Sequence, residues 1–135
     1  MPAGASRDEL VLNNDLAPTF AHLAGAESPN FVDGRSLVPL LRGKASSWRT
    51  AALVEQRGLG KIGIPAYGML RTEGEAYVEY ENGERELYDL DKDPHQLENL
   101  AGQRPGEEAT LSARLRELRN CSGSSCRAAE DSTAP

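Results

Sequence analysis

The sequence predicts an α+β fold in which a small antiparallel four-stranded sheet packs on a C-terminal helix. Two observations carry this prediction. Four short segments rich in strand-forming residues follow one another between residues 51 and 90, and turn residues separate them. Residues 107–119 then place Leu111, Leu115 and Leu118 at helical spacing, so that one apolar side can cover a face of the sheet.

The strands of the sheet are predicted at residues 51–56, 64–72, 75–81 and 85–90. Two-residue turns, Glu73-Gly74 and Asn82-Gly83, separate the last three strands, and turns this short join antiparallel neighbours. Pro65 and Gly68 weaken the second strand and favour an edge or a bulge there. Between the first two strands, GLGKIG at 58–63 predicts a mobile loop and lacks the spacing of a phosphate-binding loop.

The residues before the sheet predict a further strand and two helices. A short apolar run at 9–13 is expected to form the strand. The helices are expected at 15–24 and 36–43, with Asp15 and Ser36 as their N-caps, because both side chains can accept hydrogen bonds from free amides of a first turn.

The charge balance of the chain argues against nucleic-acid binding. There are 15 basic and 21 acidic residues, which give a net charge of −6, whereas nucleic-acid-binding proteins gather basic residues to neutralise phosphates. Arg114, Arg116 and Arg119 lie close together, but Glu117 interrupts them, so we interpret them as a solvated helix face. We predict no membrane span, since no apolar run reaches about 18 residues, and no signal peptide is expected.

Three alternating aspartates at 89–93 resemble the start of an EF-hand calcium loop. Such a loop needs glycine at its sixth position and glutamate at its twelfth. Pro94 and Leu100 occupy those positions here, so no calcium loop is predicted. Asp93 is instead expected to cap a helical turn that begins at Pro94, with Leu97 and Leu100 docked on the core.

The two cysteines, Cys121 and Cys126, enclose four small residues. Two thiols alone cannot complete a zinc site of four ligands, and their spacing is too long for the Cys-x-x-Cys redox motif. A local disulfide is predicted, which would contribute on the order of 2 kcal/mol and implies an oxidising compartment. Two free thiols near the end of a frayed tail are the alternative.

No catalytic residue and no metal ligand can be assigned from the sequence. His22 and His95 are far apart, and no serine, histidine and aspartate form a recognisable triad. Glu55 and Arg71 stand at strand ends near the glycine-rich loop, where they are weak candidates for substrate binding. The alternative is that each forms an ion pair with its neighbours.

An ordered set of short motifs resembles the C-terminal part of the sulfatase family, including arylsulfatases and N-acetylglucosamine-6-sulfatase-like enzymes. The resemblance covers roughly residues 8–126, and it depends on the order and spacing of motifs that are individually unspecific. These motifs are NDLAPT at 14–19, LAG at 23–25, DGRSL at 33–37, PLL at 39–41, LRT at 70–72, ELYDL at 86–90 and ENL at 98–100.

The resemblance implies an alkaline-phosphatase-like α/β domain followed by a small subdomain with a four-stranded antiparallel sheet. Residues 1–46 would then be a remnant of the large domain, residues 47–120 the C-terminal subdomain, and residues 121–135 a disulfide-containing tail. Family members use calcium and a formylglycine made from cysteine in a Cys-x-Pro-Ser-Arg motif. Neither Cys121 nor Cys126 stands in that motif, and the family's other catalytic residues are expected upstream.

The chain is therefore expected to be a C-terminal sulfatase segment that supplies scaffold and one wall of a substrate cleft, without catalysis of its own. The alternative is a non-catalytic binding or interaction module derived from a sulfatase. The expected partners are the missing catalytic domain or a second copy of the chain, because Leu16, Phe20, Leu23 and Leu40 should leave an apolar patch exposed. The family and the disulfide together imply an extracytoplasmic location.

Overall fold

The computed structural model describes residues 4–44, 47–60 and 63–132. A 3₁₀ helix at Asn13–Asp15 leads into the following elements: α1 (Leu16–Leu23), α2 (Val38–Leu41), β1 (Ala51–Gln56), β2 (Tyr67–Thr72), β3 (Glu75–Tyr80), β4 (Arg85–Asp89), α3 (Pro105–Arg119) and α4 (Ser124–Asp131). The described residues up to Thr50, together with Cys121–Ser132, form one compact unit, called the N-terminal unit below. Ala51–Asn120 form the other, called the sheet unit.

The sheet unit confirms the predicted α+β fold. Its strands are antiparallel and follow the chain in the order β1-β2-β3-β4. Leu70 stands opposite Leu53 and Tyr77, and Tyr77 stands opposite Leu87. Because paired residues project from the same face of a sheet, these four side chains form one apolar row across it. Leu70, Tyr77 and Leu87 are fully buried.

Helix α3 contacts β1, β2 and β3 and buries Leu111, Leu115 and Leu118, as the helical spacing predicted. Pro105 lies in the first turn of α3, where a backbone N–H would have no acceptor within the helix, so proline loses no hydrogen bond there. Acidic residues of the same turn favour the helix start. The interpretation of its arginines as a solvated face is wrong for Arg114, which is buried. That burial lowers the pKa of the Arg114 guanidinium.

The outer edge of the sheet is covered by the segment that follows β4. The Leu87 amide donates to Asn99 Oδ1 at 3.0 Å, and the Leu100 amide donates to the Leu87 carbonyl at 2.8 Å. Asn99 also donates to the Arg85 carbonyl. Asn99 therefore satisfies backbone groups that an edge strand would otherwise expose, and this gives the ENL motif a structural reason.

The expected helical turn at Pro94 does not form. Asp93 accepts hydrogen bonds from the amides of Leu97 and Glu98 at 2.6 and 2.8 Å, so its carboxylate closes a turn without a following helix. The prediction that Leu97 docks on the core is wrong, since its side chain is 84% exposed.

The loop between β1 and β2 contains one isolated pair of bridged residues. The amide of Leu59 donates to the carbonyl of Ile64 at 2.8 Å, which forms an isolated antiparallel bridge. Lys61 and Ile62, at the centre of the GLGKIG segment, lie outside the described residues.

The N-terminal unit departs from two predictions. Residues 9–13 do not form a strand, and the chain enters the 3₁₀ helix directly from Leu12. Asp15 does occupy the N-cap position of α1, but its carboxylate makes no capping hydrogen bond to that helix and accepts hydrogen bonds from Leu12 N and Arg35 N instead. Ser36 does accept from the amide of Val38, at 3.2 Å near the start of α2.

The expected frayed tail contains helix α4. Cys121 and Cys126 form the predicted disulfide at its start. Gly123 adopts a positive φ of 57° immediately before the helix, a conformation that glycine accepts at little cost. Arg127 then donates to the Val32 carbonyl at 2.6 Å, so the helix is tied to the loop before α2. Within the three described ranges, no helix is both long enough and apolar enough to cross a membrane.

Gly34 should be essential for packing in the N-terminal unit. A Cβ at this position would collide with the backbone carbonyl of Asn14 and lie 3.0 Å from the amide of Asp15. Because backbone cannot swing aside, we expect Gly34→Ala to lower the free energy of unfolding by about 1–3 kcal/mol in urea denaturation. Gly106→Ala is the control, because that site is open and alanine favours the helix by up to about 1 kcal/mol. Equal urea midpoints for Gly34→Ala and wild type would contradict the expectation.

Candidate functional site

A buried cluster of charges lies at the centre of the N-terminal unit. Arg49 donates from Nη2 to Asp15 Oδ1 at 2.7 Å and from Nε to Glu130 Oε2 at 2.9 Å. The side chains of Asp15 and Arg49 are fully buried, and that of Glu130 is only 6% exposed. Arg35 donates to the same Glu130 oxygen at 2.8 Å and to Asp131 at 2.6 Å. We call Asp15, Arg35, Arg49 and Glu130 the charge cluster.

The charge cluster is satisfied by backbone and aromatic groups as well as by ion pairs. Burial alone would raise the pKa of the Asp15 carboxyl, but hydrogen bonds from Arg49 and from the amides of Arg35 and Leu12 outweigh burial and lower the pKa. The guanidinium carbons of Arg35 and Arg49 lie 5.4 and 5.5 Å from the ring centre of Trp48, within the range of a cation–π contact. The cluster is therefore a structural centre whose charged side chains pair with one another, and among the described residues only Arg35 Nε of the cluster is buried without a hydrogen-bond partner.

A cleft of about 500 Å³ opens at one end of the sheet, where β1 and β3 finish and β2 begins. We call it the sheet cleft. Its volume is that of a small-molecule site. Residues from β1, β2, β3, the loop after β1 and the end of α3 line it, among them Glu55, Arg57, Tyr67, Glu79, Tyr80 and Arg119.

Glu79 is a polar group of the sheet cleft that several hydrogen bonds and an ion pair hold in position. Its Oε1 accepts hydrogen bonds from Tyr77 OH at 3.0 Å and from Ser112 Oγ at 2.6 Å, and its Oε2 lies 3.6 Å from Arg119. Burial, followed by the hydrogen bond to Glu79, raises the pKa of Tyr77 to about 12. The Arg119 guanidinium crosses over Gly68, where any Cβ would collide with it. Gly68 of β2 thus makes room for Arg119 to reach Glu79. From the sequence, Gly68 indicated only an edge or a bulge, and this role was not predicted.

Other groups of the sheet cleft remain available to a ligand. Tyr67 and Tyr80 stand opposite each other with ring centres 5.4 Å apart, and Tyr80 donates to Glu86 at 3.1 Å. Within the described residues, the Tyr67 hydroxyl and the side chains of Glu55 and Arg57 make no hydrogen bond or ion pair to other groups of the protein. A ligand of the cleft could therefore use the carboxylate of Glu55 and the guanidinium of Arg57, whereas Tyr67, next to Gly68 in β2, projects from the face opposite Glu55.

The structure does not bring Glu55 and Arg71 together. Glu55 stands opposite Gly68, whereas Arg71 stands opposite Ala52 and Ala76. Positions 68 and 71 of one strand project from opposite faces, because side chains alternate. Glu55 lines the sheet cleft and Arg71 does not appear among its lining residues. Arg57 is the cation that shares the cleft with Glu55, and sequence reasoning missed it because it lies beyond the end of the strand.

A corner of the sheet unit gathers three carboxylates around one guanidinium. Arg104 lies 3.3 Å from both Asp89 and Glu107, and Glu75 stands opposite Asp89 in the sheet. The hydrogen bond to Glu107 and burial raise the pKa of Glu75 to about 7, although Arg104 acts in the opposite direction. The raised pKa keeps the Glu75 carboxyl neutral to a higher pH than that of an ordinary glutamate.

The remaining sequence candidates do not assemble into a catalytic or metal centre. Within residues 4–44, 47–60 and 63–132, no group of three or more histidine, cysteine, aspartate and glutamate side chains has the arrangement of a metal site. His22 Nδ1 lies 2.9 Å from Ser36 Oγ, beside a cleft of about 510 Å³ in the N-terminal unit. Among the described residues no carboxylate hydrogen-bonds His22, so the pair lacks the third member of a triad.

Comparison with known proteins identifies this architecture. The family described as "N-sulphoglucosamine sulphohydrolase, C-terminal" matches residues 1–121. The chain belongs to this family. It is a sulfatase C-terminal domain, which confirms the resemblance found in the sequence.

Relatives of this sulfatase C-terminal domain are much longer proteins. The N-acetylglucosamine-6-sulfatase of Capra hircus is 33% identical over 152 residues, covering 87% of this chain and 27% of the goat protein. The N-acetylglucosamine-6-O-sulfatase of Bacteroides thetaiotaomicron is 30% identical over 106 residues, covering 74% of this chain and 19% of the bacterial protein. The chain thus spans about a quarter or less of the length of these relatives.

Solved structures share the same domain. BT4656, determined in complex with its substrate D-glucosamine-2-N,6-O-disulfate, matches with a TM-score of 0.71 and 28% identity over 78% of this chain and 23% of its own. A phosphonate monoester hydrolase of Agrobacterium radiobacter matches with a TM-score of 0.73 and 28% identity over 87% of this chain and 26% of its own. The domain therefore accompanies more than one ester-cleaving chemistry.

The Glu75 corner should give the domain a pH-dependent stability. The folded-state pKa of Glu75 is raised to about 7 from 4.5. The stability that protonated Glu75 adds to the folded state is therefore fully present below about pH 4.5 and is lost as the pH rises through 7. Glu75→Gln keeps a neutral hydrogen-bond donor beside Glu107, so its melting temperature should rise relative to wild type by about 2–4 °C between pH 5 and pH 8.

Glu73→Gln is the matched control for this measurement, because Glu73 is an exposed glutamate of the adjoining turn. Its difference from wild type should stay constant with pH. A Glu75→Gln difference that is equally constant would contradict the raised pKa of Glu75.

Proposed function

We propose that this sulfatase C-terminal domain serves an enzyme that hydrolyses sulfuric esters of glucosamine-containing saccharides. The observation that supports this most is the similarity to two relatives named for sulfate removal from N-acetylglucosamine, over 87% and 74% of this chain. The substrate named for BT4656, a disulfated glucosamine, belongs to the same chemical class. The domain's own contribution would be scaffold and one wall of the substrate cleft.

The residues of this chain do not fit the nucleophile or the calcium that the family resemblance implies. Cys121 and Cys126 are joined in a disulfide, and neither stands in a Cys-x-Pro-Ser-Arg motif. The described residues do not assemble a metal-ligand group. We propose that both belong to the rest of the enzyme, where formylglycine supplies the nucleophile and calcium offsets the sulfate charge.

The exposed apolar face of α1 supports docking of this domain onto a catalytic domain. Leu16, Phe20 and Leu23 are 50%, 65% and 60% exposed and recur at helical spacing along one face. Leu40, which the sequence analysis added to this patch, is buried and does not belong to it. Because monomeric proteins rarely leave such a face open to water, we propose that the catalytic domain covers it; self-association is the alternative occupant.

Glu55 stays the proposed contact on the substrate side, because it lines the sheet cleft without an internal partner. Arg71 projects from the opposite face and would need a separate contact. The disulfide supports an extracytoplasmic location for the enzyme, since thiols are kept reduced in the cytosol.

A domain exchange tests the proposed function. We expect that replacing the C-terminal domain of the Bacteroides thetaiotaomicron N-acetylglucosamine-6-O-sulfatase with this chain gives an enzyme that releases sulfate from N-acetylglucosamine 6-sulfate. The same host without any C-terminal domain should be inactive, as should this chain alone with or without calcium. A folded chimera as inactive as the truncated host would contradict the proposal and favour the non-catalytic binding module.

The same chimera tests the docking face. Phe20→Ser removes the most exposed side chain of the α1 face, so it should weaken domain contact and lower sulfate release by about tenfold, the equivalent of one lost apolar anchor. Leu97→Ser is the control, because Leu97 is 84% exposed in the sheet unit. Equal activities of the two variants would argue against a role for the α1 face.

A further inference from the structure

We propose that the disulfide between Cys121 and Cys126 is a redox-sensitive clasp that controls whether helix α4 closes the charge cluster. In the oxidised chain the disulfide holds the start of α4, and the end of α4 supplies Glu130 to Arg49 and Arg35. Reduction releases the start of the helix, and Glu130 then leaves the two guanidiniums. The N-terminal unit therefore closes only where the two cysteines can oxidise.

Helix α4 is too short to be stable by itself. It has eight residues, Ser124–Asp131, whereas isolated helices shorter than about 12–15 residues are marginal in water. Its sequence, SSCRAAED, contains no large apolar residue that could anchor it. The helix also lies beyond the match of residues 1–121 to the sulfatase family, so the clasp goes beyond the function proposed above.

Polar contacts attach both ends of α4 to the rest of the N-terminal unit. Before the helix, the Gly123 amide donates to Asp33 Oδ1. At the end of the helix, Arg35 donates to Glu130 at 2.8 Å and to Asp131 at 2.6 Å. Because water can replace polar partners such as these, each contact stabilises the docked helix only modestly. The covalent link is therefore decisive for keeping the start of the helix in place.

The disulfide fixes the chain that enters α4 against the first turn of the helix. Cys121 precedes the helix and is half-buried, and Cys126 is the third helical residue. A small dithiol such as dithiothreitol reduces the bond by thiol–disulfide exchange. The dithiol gives up two electrons and two protons and forms its own internal disulfide, while Cys121 and Cys126 become thiols. These are the two cysteines of the whole sequence, so no other thiol of the chain can re-form a bond with either of them.

Trp48 can report the state of the charge cluster. It is the one tryptophan of the sequence, and the guanidinium carbons of Arg35 and Arg49 lie 5.4 and 5.5 Å from its ring centre. When Glu130 leaves, Arg49 keeps Asp15 as its partner. Arg35 loses both of its carboxylate partners, because both lie on α4, and it becomes free to move away from the ring. The fluorescence of Trp48 therefore changes when α4 is released.

Thiol titration of the folded 135-residue chain tests the proposal. As the ratio of reduced to oxidised dithiothreitol rises, we expect one transition in Trp48 fluorescence. Over the same range, the α4 amides should lose protection from hydrogen exchange by about tenfold or more, while the amides of the sheet unit keep theirs. Unchanged fluorescence and α4 protection after complete reduction would overturn the proposal.

The double variant Cys121→Ser, Cys126→Ser is the control for the reductant. It should show the fluorescence of the reduced chain without any dithiol, and dithiothreitol should not change it further. The titration of the wild-type chain keeps the proposal falsifiable if this variant fails to fold. Oxidised-state fluorescence in a folded double variant would contradict the clasp.

A second measurement separates a clasp from a disulfide that only restricts the unfolded chain. Glu130→Gln weakens closure of the charge cluster in the oxidised chain. Reduction should then lower the melting temperature by about half or less of its effect in wild type, because the two changes act on the same contact. Glu27→Gln, at an exposed glutamate of the N-terminal unit, should leave the effect of reduction unchanged. An equal effect of reduction in Glu130→Gln and wild type would overturn the proposal.

Discussion

The N-terminal unit depends on one buried guanidinium. Arg49 has no exposed side-chain surface, and it joins Asp15 of the 3₁₀ helix to Glu130 of α4 across more than 80 residues of sequence. An unpaired charge at that depth would cost several kcal/mol, so each partner is required once the others are in place. We attribute the ordering of the tail to this requirement, because helix α4 places Glu130 where it pairs with Arg49 and Arg35.

The same constraint gives several motifs of the family resemblance a physical role. The aspartate of NDLAPT is Asp15, which holds Arg49 and the amide of Arg35. The glycine of DGRSL is Gly34, whose missing side chain lets that loop lie against Asn14. In the sheet unit, the asparagine of ENL pairs with the β4 edge. These residues build the domain, and the groups available to a ligand of the sheet cleft, Glu55 and Arg57, lie elsewhere.

The sequence predicted the sheet unit well because its signals are local. Alternating side chains, Asn82-Gly83 at the hairpin and the leucines of α3 each specify their element without help from distant residues, and all were found. Two of the failures have a common cause in long-range pairing. From the sequence alone, Asp15 is expected to cap α1, and only the structure shows that its carboxylate pairs with Arg49 instead. The tail is likewise expected to fray, and only the structure pairs Glu130 with Arg49.

A double-mutant cycle between Asp15 and Arg49 tests this dependence most directly. The free energies of unfolding would be measured by urea denaturation for Asp15→Asn, Arg49→Gln and the double variant. The account predicts that each single change costs about 3–5 kcal/mol, and that the double change costs less than their sum by about 1–3 kcal/mol, because the second substitution removes the charge that the first left unpaired. Strictly additive effects, or single changes that leave stability intact, would contradict it.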